Sequence, residues 1–339
     1  MRLNRKASLL FLISFALYLT LSVVLSFGIG LIEDSSDDLL YLLNALVVSI
    51  PAFLIPALVF RRRNELPRFT APRFGHIMLA VAIGIGCVNL NAALSMLNSA
   101  IFYNVDIVSN STTAETIVGM NGWNLLFSLA IIPPISEEFL MRGALLESWR
   151  RYSPLGAVVI TSLFFAFLHL APSSLIVYFG LGVLLAVVYL ITRNVWLTVV
   201  VHLVNNLSSV IGALALKYMG GAEELAEEAG DVSGMLNGIF DSRAGLFGMF
   251  IAYSLIAAAI LVPLLFALRA IYRRNKLGMY AEESSPAGIA ENGEIAPLET
   301  AVPEEKTSMW SDALLWVAFA ILVLFNIVAG LSEFGIIKL

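Results

Sequence analysis

The chain has 339 residues, of which 59% are hydrophobic and only 13% are charged. A soluble domain carries about 25% charged residues, so this composition excludes a soluble globular protein and predicts an integral membrane protein. The formal net charge of -5 argues against nucleic acid as a partner. The single cysteine, Cys87, excludes a disulfide framework and a paired-cysteine metal site.

Nine apolar segments approach the roughly 20 residues that a membrane-spanning helix needs. They cover residues 8–31, 39–60, 75–98, 121–150, 155–171, 173–192, 195–218, 245–272 and 310–333. We therefore predict an all-α, polytopic transmembrane helix bundle with about eight core spans plus one C-terminal span tethered by a linker. The fifth and sixth segments are short and flank Ala171-Pro172, so the alternative is a hairpin that does not fully cross the bilayer.

Basic residues predict the orientation of the bundle, because positively charged loops stay in the cytoplasm. Arg61-Arg62-Arg63, Arg150-Arg151, Arg193 and the cluster from Arg269 to Lys276 fall on one side of a nine-span chain, with the basic N-terminus. We expect a multi-pass protein of the cell membrane with a cytoplasmic N-terminus. The first apolar segment is too long for a signal-peptide core, so we expect an uncleaved span.

Composition divides the chain into five regions. Residues 1–120 hold three spans, and residues 121–218 form a core whose spans contain polar side chains. Residues 219–276 comprise an acidic outer loop, at 222–231, and the eighth span. Residues 277–309 are rich in Glu, Pro, Gly, Ser and Ala, which predicts a disordered linker, and residues 310–339 contain the last span.

Two pairs of glycines lie within the apolar segments: Gly84 and Gly86, and Gly180 and Gly182. They lack the strand, helix and acidic partner of a nucleotide-binding loop. We therefore predict that these glycines permit close contacts between helices.

The fourth apolar segment contains three ionisable residues within a short stretch: Glu137, Glu138 and Arg142. Each costs roughly 2.5–3.5 kcal/mol at a bilayer centre on insertion scales, so such residues face the protein interior and mark function. On a helix, Glu138 and Arg142 share a face with the acid first, which predicts an ion pair. Glu137 lies about 100° further round the helix and is expected to remain free for chemistry. Pro133-Pro134, just upstream, predict a kink or break.

Two of the three histidines lie deep within other apolar segments. His169 lies in the fifth segment, and His202 lies in the seventh with Asn206 one helical turn later, whereas His76 is interpreted as an interfacial residue. A buried imidazole or amide is unfavourable unless it is hydrogen-bonded. Each residue alone is compatible with a packing role between helices. Taken with the acidic pair, they predict that polar side chains from three helices converge in one site.

Such a site has the groups needed to hydrolyse an amide. A free carboxylate beside a neutral histidine deprotonates a water molecule, and a second histidine with an amide stabilises the oxyanion. Glu137, His169 and His202 also match the ligands of a catalytic Zn²⁺ ion, and the sequence leaves both mechanisms open. The helical HExxH motif of zinc proteases, paired intramembrane aspartates and an intramembrane GxSx motif are absent.

Three motifs in this order resemble those of the CAAX protease and bacteriocin-processing (CPBP) family of intramembrane proteases, which includes the type II prenyl-protein endopeptidases. They are Glu137-Glu138-x-x-x-Arg142, Phe165-x-x-x-His169 and His202-x-x-x-Asn206, and the resemblance covers about residues 121–210. It implies an intramembrane endopeptidase in the lipid bilayer whose substrate is a membrane-bound peptide or protein. That substrate is either a lipidated or membrane-bound peptide cut near its C-terminus, or a small peptide signal or bacteriocin. Members of the family have been described both as metalloproteases and as glutamate-dependent enzymes. The acidic loop, the linker and the ninth span depart from the family pattern.

The resemblance also implies a role for each site residue. Glu137 activates water together with His169, and His202 and Asn206 stabilise the oxyanion. Glu138 and Arg142 support the site, with Arg142 positioning the acids or the substrate's carboxylate.

Two other functions are compatible with the sequence. A non-enzymatic immunity factor, scaffold or regulator would keep the polar cluster for structure, and the added span and linker motivate this alternative. A proton-coupled transporter would use the buried acids and histidines as a relay, although paired repeats of broken helices are not evident. Proton-driven flux would favour the transporter. Dispensability of Glu137 would favour the non-enzymatic protein.

Overall fold

The computed structural model describes residues 3–30, 37–64, 66, 70–103, 120–218, 242–283 and 309–333. Within these ranges every regular element is a helix and no strand occurs, which confirms the predicted all-α class. The acidic loop predicted at 222–231 lies outside the described residues, as does most of the linker predicted at 277–309.

Nine apolar helices, α1 to α9 in chain order, build the described part of the bundle. They are Leu3–Gly30, Leu39–Arg63, Phe74–Ile101, Gly122–Trp149, Pro154–Leu168, Leu175–Thr192, Val195–Tyr218, Arg243–Glu283 and Ala313–Glu333. Among the described residues, eight helices are long and apolar enough to cross a membrane, and the shorter α5 is the exception. α8 extends seven residues into the predicted linker.

The helix α5 is short because its C-terminal end turns back inside the bundle. Its 15 residues extend about 22 Å, less than the roughly 30 Å hydrocarbon core. Leu170 adopts a positive φ of 48°, and Pro172 disfavours helical geometry at Ala171. Eight of the nine predicted spans, α6 among them, are therefore long enough to cross a membrane, and α5 alone is too short, as the hairpin alternative allowed. His169 lies at the tip of this hairpin.

The first and last helices run in the same direction. Ser8, near the start of α1, donates a hydrogen bond to Asp312, just before α9, at 2.6 Å. Further along both helices, the rings of Phe15 and Phe325 meet edge to face at a centroid distance of 5.6 Å. Both helices therefore begin at the same end of the bundle. If each of the nine segments runs opposite to the one before it, the first and the ninth are parallel. The short helix α5 keeps this alternation, because the chain reverses direction after it, inside the bundle.

Among the eight described helices of membrane-spanning length, α4 is the most enclosed, with 50% of its most apolar stretch buried against 17% for α8. The α-helical segment Ile132–Glu138 lies between two π-helical segments, Leu126–Ile131 and Phe139–Leu146. The disruption predicted at Pro133-Pro134 thus takes the form of wider helical turns rather than a gap in the helix. Such π-helical turns are rare and occur frequently at functional sites.

Close helix contacts occur at the glycines for which they were predicted. A Cβ atom at Gly84 would lie 2.7 Å from Cβ of Val204, and one at Gly182 would lie 3.0 Å from Cα of Ser162. These distances are too short for a larger side chain, so α3 meets α7 and α6 meets α5 through glycine. The predicted packing role of these glycines is confirmed.

Gly182→Val is expected to destabilise the protein by about 1–3 kcal/mol, because the backbone of Ser162 blocks the added side chain. Gly212→Val is the matched control, because a Cβ at Gly212 meets open space while the change in helix propensity is the same. Thermal unfolding of the detergent-purified variants measures the difference. Equal losses of Tm in the two variants would contradict the close contact.

Candidate active site

Glu138 and Arg142 form the predicted ion pair on α4. The Nη1 atom of Arg142 donates to Oε1 of Glu138 at 2.7 Å, and both side chains are fully buried. The Nη2 atom donates to the carbonyl of Gly182 on α6 at 2.9 Å. The guanidinium also lies 5.0 Å from the ring centre of Phe165 on α5. One arginine therefore neutralises the carboxylate and connects three helices.

His202 on α7 is held by the same carboxylate. Its Nδ1 atom lies 3.1 Å from Oε1 of Glu138. Because Glu138 is an ionised acceptor paired with Arg142, we assign the imidazole proton to Nδ1. The Nε2 atom then faces Glu137, at 3.9 Å from its Oε2. His202 thus contacts both members of the acidic pair, one through each ring nitrogen.

His169 is fixed at the tip of the α5–α6 hairpin. Its Nδ1 atom lies 2.8 Å from the carbonyl of Phe165, which can only accept, so Nδ1 carries the proton and Nε2 does not. Its ring stacks on Tyr178 of α6, with centroids 3.8 Å apart and planes inclined by 18°. The ring of Phe165 lies 4.9 Å from that of His169 and 5.6 Å from that of His202. Phe165 is therefore a wall shared by both histidines.

Asn206 replaces a backbone hydrogen bond that α4 lacks. Its Nδ2 atom donates to the carbonyl of Leu129 at 2.9 Å. In a regular α-helix this carbonyl would accept from residue 133, but Pro133 has no N–H group. The Asn206 Oδ1 atom accepts from Asn205 at 3.2 Å, and Asn205 accepts from Asn91 on α3 at 2.8 Å. This amide chain ties α3 and α7 to the disrupted turn of α4.

Asn206→Leu is expected to lower the free energy of unfolding by about 1–3 kcal/mol, because the Leu129 carbonyl loses its partner in an apolar environment. Pro133→Ala restores an N–H group at that position, so Asn206→Leu should be less destabilising in the Pro133→Ala background. A double-mutant cycle of unfolding free energies measures this coupling. Strictly additive effects would show that the Asn206 side chain does not substitute for the missing N–H group of Pro133.

The structure brings most of the predicted site residues into direct contact. Four of them, Glu137, Glu138, Arg142 and His202, form one connected group. His169 lies against the shared Phe165 wall. Asn206, predicted to bind an oxyanion, donates one amide hydrogen to α4, which leaves its second amide hydrogen for another acceptor.

Two supporting contacts of the site come from helix α6 and were not predicted from the sequence. Tyr178 supports His169, and the carbonyl of Gly182 anchors Arg142. In the sequence, only the tight turn after His169 indicated that residues of α6 would lie next to His169.

The described residues contain no group of three or more His, Cys, Asp or Glu side chains placed to hold a metal ion. The Nδ1 atoms of His169 and His202 are bound by fixed acceptors, as is usual for metal-ligating histidines. However, these histidines and Glu137 do not converge as a ligand set. In this arrangement the residues do not fit the zinc-site alternative.

The fold and these contacts define a multi-pass integral membrane protein with a buried carboxylate–histidine site. Residues 119–208 match the family model of the Rce1-like proteins, described as type II CAAX prenyl endopeptidase Rce1-like. This segment includes all six predicted site residues, and the match confirms the family resemblance of the motifs. It supports an intramembrane protease of the CAAX type. No curated protein and no solved structure matches the chain.

Proposed function

We propose that the chain is an intramembrane endopeptidase that hydrolyses a peptide bond in a membrane-bound, lipidated substrate. The observation that carries the proposal is the approach of the Glu137 carboxylate to Nε2 of buried His202, at 3.9 Å. Glu137 does not take part in the Arg142 hydrogen bond, so its carboxylate is available as a base. The match of residues 119–208 to a peptidase family supports the same chemistry.

The nucleophile in this proposal is a water molecule bound beside Glu137. Glu137 accepts one proton of the water as its oxygen attacks the scissile carbonyl. The Nε2 atom of His169 accepts a hydrogen bond from the same water and orients it. The attack forms one C–O bond and leaves the negative charge on the former carbonyl oxygen.

His202 then stabilises this negative charge. The proton taken by Glu137 passes to Nε2 of His202, and Glu138 stabilises the resulting imidazolium through its 3.1 Å contact with Nδ1. The new Nε2–H group, together with the second amide hydrogen of Asn206, donates to the oxyanion. When the C–N bond breaks, the same proton moves to the leaving amine. The second proton of the water stays on the new carboxylic acid, which then releases it to solvent, so the products are one carboxylate and one amine.

The test is cleavage by the purified chain in liposomes. We expect hydrolysis of a prenylated C-terminal peptide, detected by mass spectrometry, and slower hydrolysis of the same peptide without the lipid. Folded protein that cleaves no membrane peptide would contradict the proposal. Activity is expected to persist in a strong chelator. Complete loss that Zn²⁺ restores would replace the carboxylate mechanism with a metal-dependent one.

We further propose that the protein lies in the cell membrane with its N-terminus in the cytoplasm. The support is the charge at the end of the bundle where α1 and α9 begin. Lys6 of α1 bonds there to Asn64 after α2, at 3.0 Å, and Arg193 after α6 lies 3.5 Å from Glu147 of α4. Cysteines introduced at this end, in a Cys87→Ala background, should react with membrane-impermeant reagents only after the cells are opened.

A further inference from the structure

A groove of about 610 Å³ lies between the start of α1 and the end of α2. Its mouth carries two basic side chains, Lys6 and Arg63. Its walls are apolar, with Leu9 and Ile13 from α1 and Pro56 and Val59 from α2. The groove is separate from the residues assigned to the candidate active site, and the proposed hydrolysis does not use it.

The mouth of the groove is suited to an anion. The Nζ atom of Lys6 donates to Oδ1 of Asn64 at 3.0 Å, so the start of α1 and the end of α2 lie side by side. An ammonium group has three donors, so two remain for a ligand. Within the described residues that line the groove, no acidic side chain neutralises Lys6 or Arg63. The charge at the mouth is therefore positive.

The body of the groove is suited to alkyl chains. Ile13 and Pro56 lie seven residues from Lys6 and Arg63 respectively, which places them about 10 Å deeper along the helices. Ile13 is 48% exposed and Val59 is 45% exposed, so the trough is open to the surrounding membrane. A basic mouth above an apolar trough between two membrane helices, at the end of the bundle proposed to be cytoplasmic, is the arrangement that binds anionic lipid headgroups.

We propose that this groove binds an anionic phospholipid, with its phosphate between Lys6 and Arg63 and its acyl chains along Leu9, Ile13 and Val59. The opposite face of α2 touches the catalytic helix, because Arg61 donates to the carbonyl of Gly143 on α4. A lipid that fixes α2 therefore also restrains the helix that carries Glu137. The lipid site itself does not depend on the proposed protease activity.

The test compares lipid binding in two charge-matched double variants of the full chain. Lys6→Gln/Arg63→Gln removes both cations of the groove. Arg5→Gln/Arg62→Gln removes two exposed cations at neighbouring positions that do not line it. Delipidated protein in detergent is titrated with phosphatidylglycerol or phosphatidylcholine, and native mass spectrometry gives the Kd.

Phosphatidylglycerol should bind the groove variant about 25-fold more weakly than the wild type, because each basic side chain near an anionic surface contributes about fivefold. The control should stay within about twofold, and thermal unfolding verifies that both variants are folded. Ile13→Trp, which fills the trough, should also release the lipid. Equal losses in both double variants, or equally tight phosphatidylcholine binding, would overturn the proposal. Capture of a prenylated peptide in place of phosphatidylglycerol would reassign the groove to substrate.

Discussion

Glu137→Gln is expected to lower kcat/KM for peptide cleavage by roughly 10²–10⁴-fold, the contribution of a positioned general base. The amide keeps the shape of the carboxylate but cannot accept a proton from water. Folding should be unaffected, because the Glu137 side chain is 17% exposed and Arg142 bonds to Glu138 instead. Initial cleavage rates in liposomes, together with the Tm of the same preparation, measure the two effects separately.

The neighbouring isosteric variant, Glu138→Gln, is the matched control. Oε1 of Glu138 contacts both Arg142 and His202, so removing its charge should destabilise the protein and leave Arg142 buried without a counter-ion. The two variants should therefore differ in kind, since one stays folded and inactive while the other loses stability. If Glu137→Gln cleaved at the wild-type rate while Glu138→Gln was folded and inactive, Glu138 would be the general base and Glu137 the structural carboxylate.

Arg142→Leu is expected to lower the free energy of unfolding by about 3–5 kcal/mol, the cost of breaking a buried ion pair by removing one partner. The variant leaves the fully buried carboxylate of Glu138 without a cation and the Gly182 carbonyl without its 2.9 Å donor. The contact of α4 with α5 and α6 should loosen as a result. Denaturant unfolding of purified protein and expression yield are the measurements.

Two further substitutions make the Arg142 prediction specific. Arg142→Lys keeps the charge but lacks the forked donors that reach Glu138 and Gly182 together, so it should recover only part of the lost stability. Arg62→Leu removes an exposed cation of α2 and should change stability by no more than about 0.5 kcal/mol. If Arg142→Leu were as mild as Arg62→Leu, Arg142 would not be the buried connection between three helices.

The local features of the site were predictable from the sequence because they depend on helical spacing. The ion pair of Glu138 and Arg142 follows from a four-residue separation on one helix, and it forms as predicted. The convergence of His202 on the acidic pair follows from the unfavourable burial of unpaired polar groups. Residues whose burial is strongly unfavourable without a partner therefore identified the site.

Features that depend on how the helices pack were not predictable. Membrane helices are apolar on all sides, so periodicity does not show which faces meet. The contact of Ser8 with Asp312 and the stacking of His169 on Tyr178 are of this kind. The bond from Asn206 to Leu129 requires two facts together, namely the missing N–H of Pro133 and the position of α7 beside that turn. The sequence shows only that Pro133 lacks an N–H group.

The most direct test of the site uses the three histidines of the chain in one cleavage assay. His169→Gln and His202→Gln should each slow cleavage of the membrane peptide by at least about tenfold while the protein stays folded. His76→Gln should cleave at the wild-type rate, because His76 packs against Tyr272 on α8 at a centroid distance of 4.8 Å, apart from the acidic pair. Wild-type rates for folded His169→Gln and His202→Gln proteins would contradict a hydrolytic site built from α4, α5 and α7.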